Sequence, residues 1–240
     1  MIVGSITSPP FAKTEKALAG AGVERVRDLL FTLPTGGVDR TRRASIRDVT
    51  APVTVTVEVT VGRHRPAPSR GRPYRVEVRD ERADFLLVFF RGHGEYLRKL
   101  LPTGQRRLVS GKLELFDGIA QIVHPDHVVP VEEGAEIPPY EPVHPLPGGI
   151  GARAMAKAVA SGLEKAPDLP EWIDPELLRR EGWPSWRQAL SRAHRPEGPA
   201  DLALAAPARA RLAYDELMAH QMTLALARAR ARRRPGRASR

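Results

Sequence analysis

Valine occupies every second position of the stretch Val-Thr-Val-Thr-Val-Glu-Val-Thr-Val at residues 53–61. An extended chain points successive side chains to opposite faces, so this period of two predicts a strand with one face buried and the other wet. Tyr74, Val76 and Val78 alternate with Arg75, Glu77 and Arg79 and predict a second strand. The unbroken apolar run at 85–90 reads as a third strand, covered on both faces. Tyr96, Leu97, Leu100 and Leu101 cluster as on a short helix, which Pro102 stops. Residues 108–116 predict a fourth strand. Asp117-Gly118 is a two-residue hairpin signal, because both central residues of a type I′ turn need positive φ. Residues 119–123 return as a fifth strand, and 128–131 extend the sheet. Five strands with a helix between the third and fourth describe the partly open oligonucleotide-binding (OB) barrel.

The flanks carry the helical period instead. Leu18, Val26, Leu29, Leu30 and Leu33 predict two short helices across 13–33, broken near Gly20 and Gly22 and ended by Pro34. Residues 132–150 are rich in Pro, Gly and Glu and read as an extended linker. Helices follow at 151–165, at 174–181 behind the N-cap Asp174-Pro175, at 185–194, and from about Pro207 to Arg234, where Pro235 ends the pattern. The fold class expected is α+β: a five-stranded OB-type barrel preceded by short helices and followed by a mostly helical region ending in a long helix. The domains expected are 1–50 (helical), 51–131 (barrel), 132–150 (linker) and 151–240 (helical).

Composition adds a partner class. The 240 residues include 38 Lys and Arg against 28 Asp and Glu, a net charge of +10, and no cysteine. Without cysteine there is no disulfide framework, thiolate metal site or cysteine nucleophile. Arginine dominates the cations, and its planar fork matches phosphate oxygens. By segment the net charge is +3 for 1–50, +4 for 51–131, −4 for 132–227 and +7 for 228–240. A nucleic-acid surface therefore belongs to the first half and the C-terminal end. No run is apolar enough to span a membrane, no signal peptide is read at 1–10, and a cytoplasmic monomer is expected.

No catalytic engine stands out. The string from Gly104 to Lys112 has its glycines seven apart and Leu113 where a phosphate-binding loop needs Ser or Thr. Neither G-x-S-x-G nor H-E-x-x-H occurs. His124-Pro125-Asp126-His127 offers two imidazoles and a carboxylate. With Asp117 or His93 these would make a zinc or iron site; without them the string is a strand end and a turn. Phe90, a glycine-rich turn and Tyr96 place aromatics among Arg91, Arg98 and Lys99, which suits base stacking, although such rings also serve as core. Arg63, Arg65, Arg70, Arg72 and Arg75 make the segment 63–75 a basic arm between the first two strands, fit for phosphate contact. Four more arginines, Arg40, Arg42, Arg43 and Arg47, fall within eight residues.

Taken in order, certain strings resemble the N-terminal wedge region of the RecG family of ATP-dependent branched-DNA helicases. They are the residues 26–34 followed by Asp39-Arg40, the first-strand valines, Phe89-Phe90 with Tyr96-Leu97, the residues 109–112, and 116–118 with 121–125. Further on come Pro139-Tyr140, Ala189-Leu190 with His194 and Pro196, and 208–217 with Gln221. The resemblance implies a barrel that splits duplex DNA at stalled forks and Holliday junctions, in repair and recombination, while a motor pulls. It assigns base stacking to Phe90 and Tyr96; the charge pattern read above assigns phosphate contact to Arg63, Arg65, Arg70, Arg72, Arg91, Arg98 and Lys99. Pro9-Pro10-Phe11-Ala12-Lys13 replaces the family's glycine-rich hairpin, and Val38 stands where Tyr is often found. The chain stops where the family's motor would begin, so the expected product binds DNA, holds no cofactor and turns over no ATP; ATP and Mg belong to the absent motor. Branched DNA is the expected partner. The alternative is an OB-type protein-interaction module that docks a separate helicase motor or a single-strand-binding protein.

Overall fold

A computed structural model describes residues 18–20, 23–69, 71–91, 93–146 and 148–232. Arg70, the string Pro9 to Lys13, most of the first expected helix and the terminal arginines from 233 onward lie outside the described residues. The chain divides into two compact units: residues 38–141, and residues 1–37 together with 142–240.

The first unit is the barrel. Strands β1 (Gly36–Asp39) and β2 (Arg42–Arg43) precede β3 (Val53–Arg65), β4 (Tyr74–Arg79), β5 (Asp84–Phe89), β6 (Arg106–Phe116), β7 (Ile119–Val123), β8 (His127–Pro130) and β9 (Tyr140–Val143). The ring closes in the order β3-β4-β5-β7-β6 and back to β3, with β2 and β8 added at its rims. All ring pairings are antiparallel except β5 with β7, which is parallel and spans the helix Gly94–Leu100. A closed five-stranded barrel with a helix after its third strand is the OB arrangement. Val55, Val57, Val59 and Val61 fill it with Val76, Val78, Phe85, Leu87, Phe89, Val109, Leu113 and Ile122. The hairpin turn takes φ +49 at Asp117 and +76 at Gly118, as a two-residue turn requires.

Three readings of this region need correction. The first strand does not stop at Val61. Its register shifts between Val61 and His64, and it continues through Arg65, so Arg63 and Arg65 are strand residues and the loop begins after them. Nor is the third strand covered on both faces along its whole length, since Leu86 is only half-buried. Residues 132–150 are also not simply extended linker: they contain a 3-10 turn, Val131–Glu136, and β9, which pairs with β1.

The second unit is helical and discontinuous in sequence. The helix Val26–Leu30 shares a core with later helices: Val26 and Leu30 pack with Ala189, Leu190, Ala193 and Leu212, and Leu29 with Met155, Ala158 and Val159. Helices Ala152–Glu164, Pro175–Glu181, Trp186–His194 and Pro207–Arg232 complete it. Asp174 caps its helix as its residue type requires, accepting from the backbone N–H of Glu176 at 2.8 Å and Leu177 at 3.2 Å. Among the described residues no helix is long and apolar enough to cross a membrane.

Two buried histidines lock this unit. His194 Nε2–H donates to the Leu30 carbonyl at 2.7 Å, at the end of the helix Val26–Leu30. Its Nδ1 is then left as an acceptor for His144 Nε2–H at 3.1 Å, and the rings stack at 5.3 Å. Burial, aided by His194, pushes His144 down to about 4; burial also lowers His194. A histidine held neutral by the fold binds its proton more readily once unfolded. Its contribution is therefore complete above the unfolded value near 6.5 and is lost as pH falls towards about 4. Thermal melts between about pH 7 and about pH 5 should show falling stability, and His144→Gln, which keeps a donor towards His194 but cannot titrate, should flatten that fall.

Candidate nucleic-acid interface

The corner where β5 ends is built by alternation. Phe89 points into the barrel and is 8% exposed; Phe90, the next residue, turns outward and is 59% exposed. His124 supports it from the end of β7. That residue sits at φ +47, a backbone region that few side chains other than Asn, Asp and His enter. Its N–H donates to the Val88 carbonyl at 2.9 Å, and its Nε2 accepts the Phe90 backbone N–H at 3.1 Å. The imidazole stands edge-on to Phe89 and is tilted beneath Phe90, with ring centroids 6.0 and 6.1 Å away. His124 is thus a positioning group, with the Nε2 lone pair engaged.

The helix Gly94–Leu100 carries the second ring. Leu97 faces the core at 1% exposure, while Tyr96 stands out at 61%. A clamp fixes the far end of this helix. His64 Nε2–H donates to the Leu101 carbonyl at 2.7 Å, and its Nδ1 accepts the Tyr74 hydroxyl at 2.9 Å. Arg107 Nε donates to the Leu100 carbonyl at 3.0 Å. At the near end, a side chain at Gly94 would meet the Tyr74 ring at 3.3 Å, so the absence of Cβ lets the helix start close against β4. In sequence, His64 falls within the basic segment 63–75 and His124 within a metal or turn motif. Neither clamp has a local sequence signal, because the partners of His64 lie 10 and 37 residues away and those of His124 lie 34 and 36.

The candidate cations divide into two groups. Arg63, Arg72, Arg91, Arg98 and Lys99 are exposed and make no ion pair among the described residues. Arg91 follows Phe90, Arg98 and Lys99 share the helix of Tyr96, and Arg72 precedes Tyr74, which lies opposite Phe89 in the ladder. Arg65 differs: it pairs with Glu77 of β4, so the basic arm does have an acid beside it. Among the described residues no three His, Cys, Asp or Glu side chains are grouped to hold a metal ion. His127, the other half of the suspected metal motif, binds Glu141 at 3.3 Å.

No protein-family model matches the chain. The chain is 27% identical over 222 residues to the ATP-dependent DNA helicase RecG of Pasteurella multocida, covering 86% of this chain and 31% of that helicase. It is 28% identical over 243 residues to RecG of Escherichia coli O127:H6, covering 96% and 34%. The chain therefore spans about a third of the length of these curated relatives. A solved structure of RecG bound to a three-way DNA junction superposes with a TM-score of 0.74 over 94% of this chain and 30% of that one, at 23% identity, and shares the fold. Over this span, in sequence and in fold, the chain is RecG-like.

Proposed function

We propose that this chain is a structure-selective DNA-binding wedge, acting in the cytoplasm at replication forks and Holliday junctions as part of a RecG-like helicase in repair and recombination. The observation that carries the reading is the corner of the barrel: two exposed rings, with Arg72, Arg91, Arg98 and Lys99 exposed on the adjoining segments and Arg63 further along β3. Phe90 and Tyr96 offer π-faces to bases that have lost their partners, and base stacking tolerates any sequence. Arg63, Arg72, Arg91, Arg98 and Lys99 hold backbone phosphates, with Arg65 free to join by leaving Glu77, since an exposed ion pair holds weakly. Because the arginines grip phosphates without reading bases, selectivity is for the shape of the junction. The named activity of the relatives and the junction in the RecG structure both support this assignment. ATP-driven movement belongs, in this reading, to the two thirds of such helicases that this chain does not match.

The test is a mobility shift with forked, four-way and linear DNA of equal length at two salt concentrations. Branched DNA should bind more tightly than linear DNA. The logarithm of affinity should fall linearly with the logarithm of salt, with a slope of roughly −4 to −5 for about five phosphate contacts. Equal affinity for all three substrates would remove the wedge role. No shift at low salt, together with a protein partner retained at high salt, would favour the interaction module instead.

A further inference from the structure

Arg42 and Arg43 form β2 and take no part in the corner of Phe90 and Tyr96. Strand pairing gathers further cations around them. Arg42 lies opposite Thr56 of β3. Further along β3, Thr60 has Arg79 of β4 on one side and Arg106 of β6 on the other. Residues paired directly across strands project to one face. Val55, Val57, Val59 and Val61 point into the barrel, so Arg42, Glu58, Thr60, Arg79 and Arg106 share the outer face of its first strand. An open cleft of about 430 Å³ lies among them, with Arg43 also in its lining.

The fold does not consume these arginines as it consumes others. Arg40 engages its guanidinium with Glu141, Ser110 and Asp126. Arg42 and Arg106 instead converge on a single carboxylate, that of Glu58, which is 14% exposed. A guanidinium carries about five N–H donors, and among the described residues neither of these two has another partner. One carboxylate thus aligns two planar forks and leaves most of their donors unengaged. Arg43 and Arg79 hold Asp39 and Asp84 only at 3.8 and 3.9 Å, in exposed pairs worth little. Asp80, also in the lining, is turned into the fold: it accepts the Ser45 hydroxyl at 2.9 Å and the Ile46 backbone N–H at 2.7 Å. Four arginines then face Glu58 and Glu81, and the excess of positive charge attracts an anion.

We infer that this cleft is a second DNA contact, separate from the corner, which grips the backbone of one double-stranded arm of the junction. The inference rests on the wedge reading given above. The lining holds no aromatic side chain, so nothing in it stacks on an unpaired base. Spacing favours a duplex. Arg79 and Arg106 flank Thr60 at about 10 Å from each other, and Arg42 stands about 13 Å from Arg79 along β3. The major groove is about 12 Å wide, so such a set of cations reaches phosphates on both of its edges. Position separates the cleft from the corner. Tyr74, opposite Phe89, opens β4 and Arg79 closes it, about 17 Å away along the strand. At about 3.4 Å per step, that is about five base pairs from the parting point.

The experiment shortens each hairpin-capped arm of a three-way junction in turn, from about fifteen base pairs to about three. It uses the unsubstituted protein, the triple substitution Arg42→Gln, Glu58→Gln and Arg106→Gln, which strands no carboxylate, and the exposed single substitution Arg79→Gln. Thermal melts confirm that all three proteins are folded. For the unsubstituted protein, affinity should fall when one particular arm drops below about five base pairs, and the salt slope should ease by about 2, the share of two phosphate contacts. The triple substitution should reproduce both changes on the full-length junction and make the length of that arm immaterial. Arg79→Gln should act in the same direction and ease the slope by about 1. If shortening that arm costs the substituted proteins as much as the unsubstituted one, the cleft holds no arm. If they also release a polyglutamate peptide that the unsubstituted protein retains, its occupant is an acidic peptide and not DNA. If the triple substitution weakens linear and branched DNA alike and no arm is singled out, the arginines add only general attraction and the grip is refuted. The preference for branched over linear DNA with that arm short reads the corner alone, so failure of the wedge reading shows there and failure of the cleft does not.

Discussion

Replacing Phe90 and Tyr96 together by alanine is expected to weaken binding to forked DNA by about ten- to a hundredfold, while linear duplex binding changes by about twofold or less. Stacking of one base on an aromatic side chain is worth about 1–3 kcal/mol, and even one lost base gives the lower figure. The two effects fall short of additive where both rings serve the same parted pair. Linear duplex offers no unpaired base, so the rings contribute to it only through contact area, and the phosphate-binding arginines remain. The fold survives because both rings are more than half exposed and neither belongs to the barrel core, which uses Phe89 and Leu97 instead. Titration of forked and linear DNA by fluorescence anisotropy, at one salt concentration, checks the split. Equal losses on both substrates would mean that the rings are general contacts or that the corner has collapsed. Phe89→Ala supplies the contrast: it empties a core position and should cost stability on every substrate.

The barrel was legible in sequence because its evidence is local. Alternating valines declare a buried face within nine residues, and Asp117-Gly118 declares the hairpin in two. The limits of that legibility are equally physical. The β3 alternation ends at Gly62 and Arg63 because the register shifts between Val61 and His64; past that irregularity the sides no longer follow odd and even positions, and the strand reads as loop. Phe85 to Phe90 is apolar throughout, so composition cannot say which of Phe89 and Phe90 faces out; only their place in the barrel does. The helical unit was harder still, since the packing of Val26 and Leu30 against Leu190 and Leu212 joins residues more than 150 apart. Arginine posed the same problem. Exposed Arg91 and buried Arg40 look alike in a count of charges, yet one is available to phosphate and the other is consumed by the fold.

Arg40→Ala should therefore destabilise the barrel unit and leave the exposed DNA contacts untouched. Arg40 is 6% exposed and fully engaged. Its Nε donates to Glu141, its Nη1 to the Ser110 hydroxyl at 2.8 Å, and its Nη2 to Asp126 at 3.0 Å. Ser110 also accepts from the Thr56 hydroxyl at 2.8 Å, which ties β3 to β6 beneath the guanidinium. Removing one member of a buried pair typically costs 3–5 kcal/mol, and about 3 kcal/mol is expected here because Glu141 and Asp126 keep part of their hydration. Arg40→Lys should recover little, since an ammonium on a flexible stem cannot reproduce a planar fork aimed at three acceptors. Acid gives the second readout. The hydrogen bond from His127 and the charge of Arg40 hold Glu141 down at about 2 against an ordinary value of 4.5. Its folded-state value is depressed, so its contribution is complete above about 4.5 and is lost as pH falls towards about 2. Denaturant unfolding should therefore show the full difference between the unsubstituted protein and Arg40→Ala at neutral pH, and a smaller one at about pH 3, because the carboxylate charge that Arg40 helps to hold is lost more readily without it. A difference that stays constant across this range would mean that lost packing around the guanidinium, and not its charge, sets the cost.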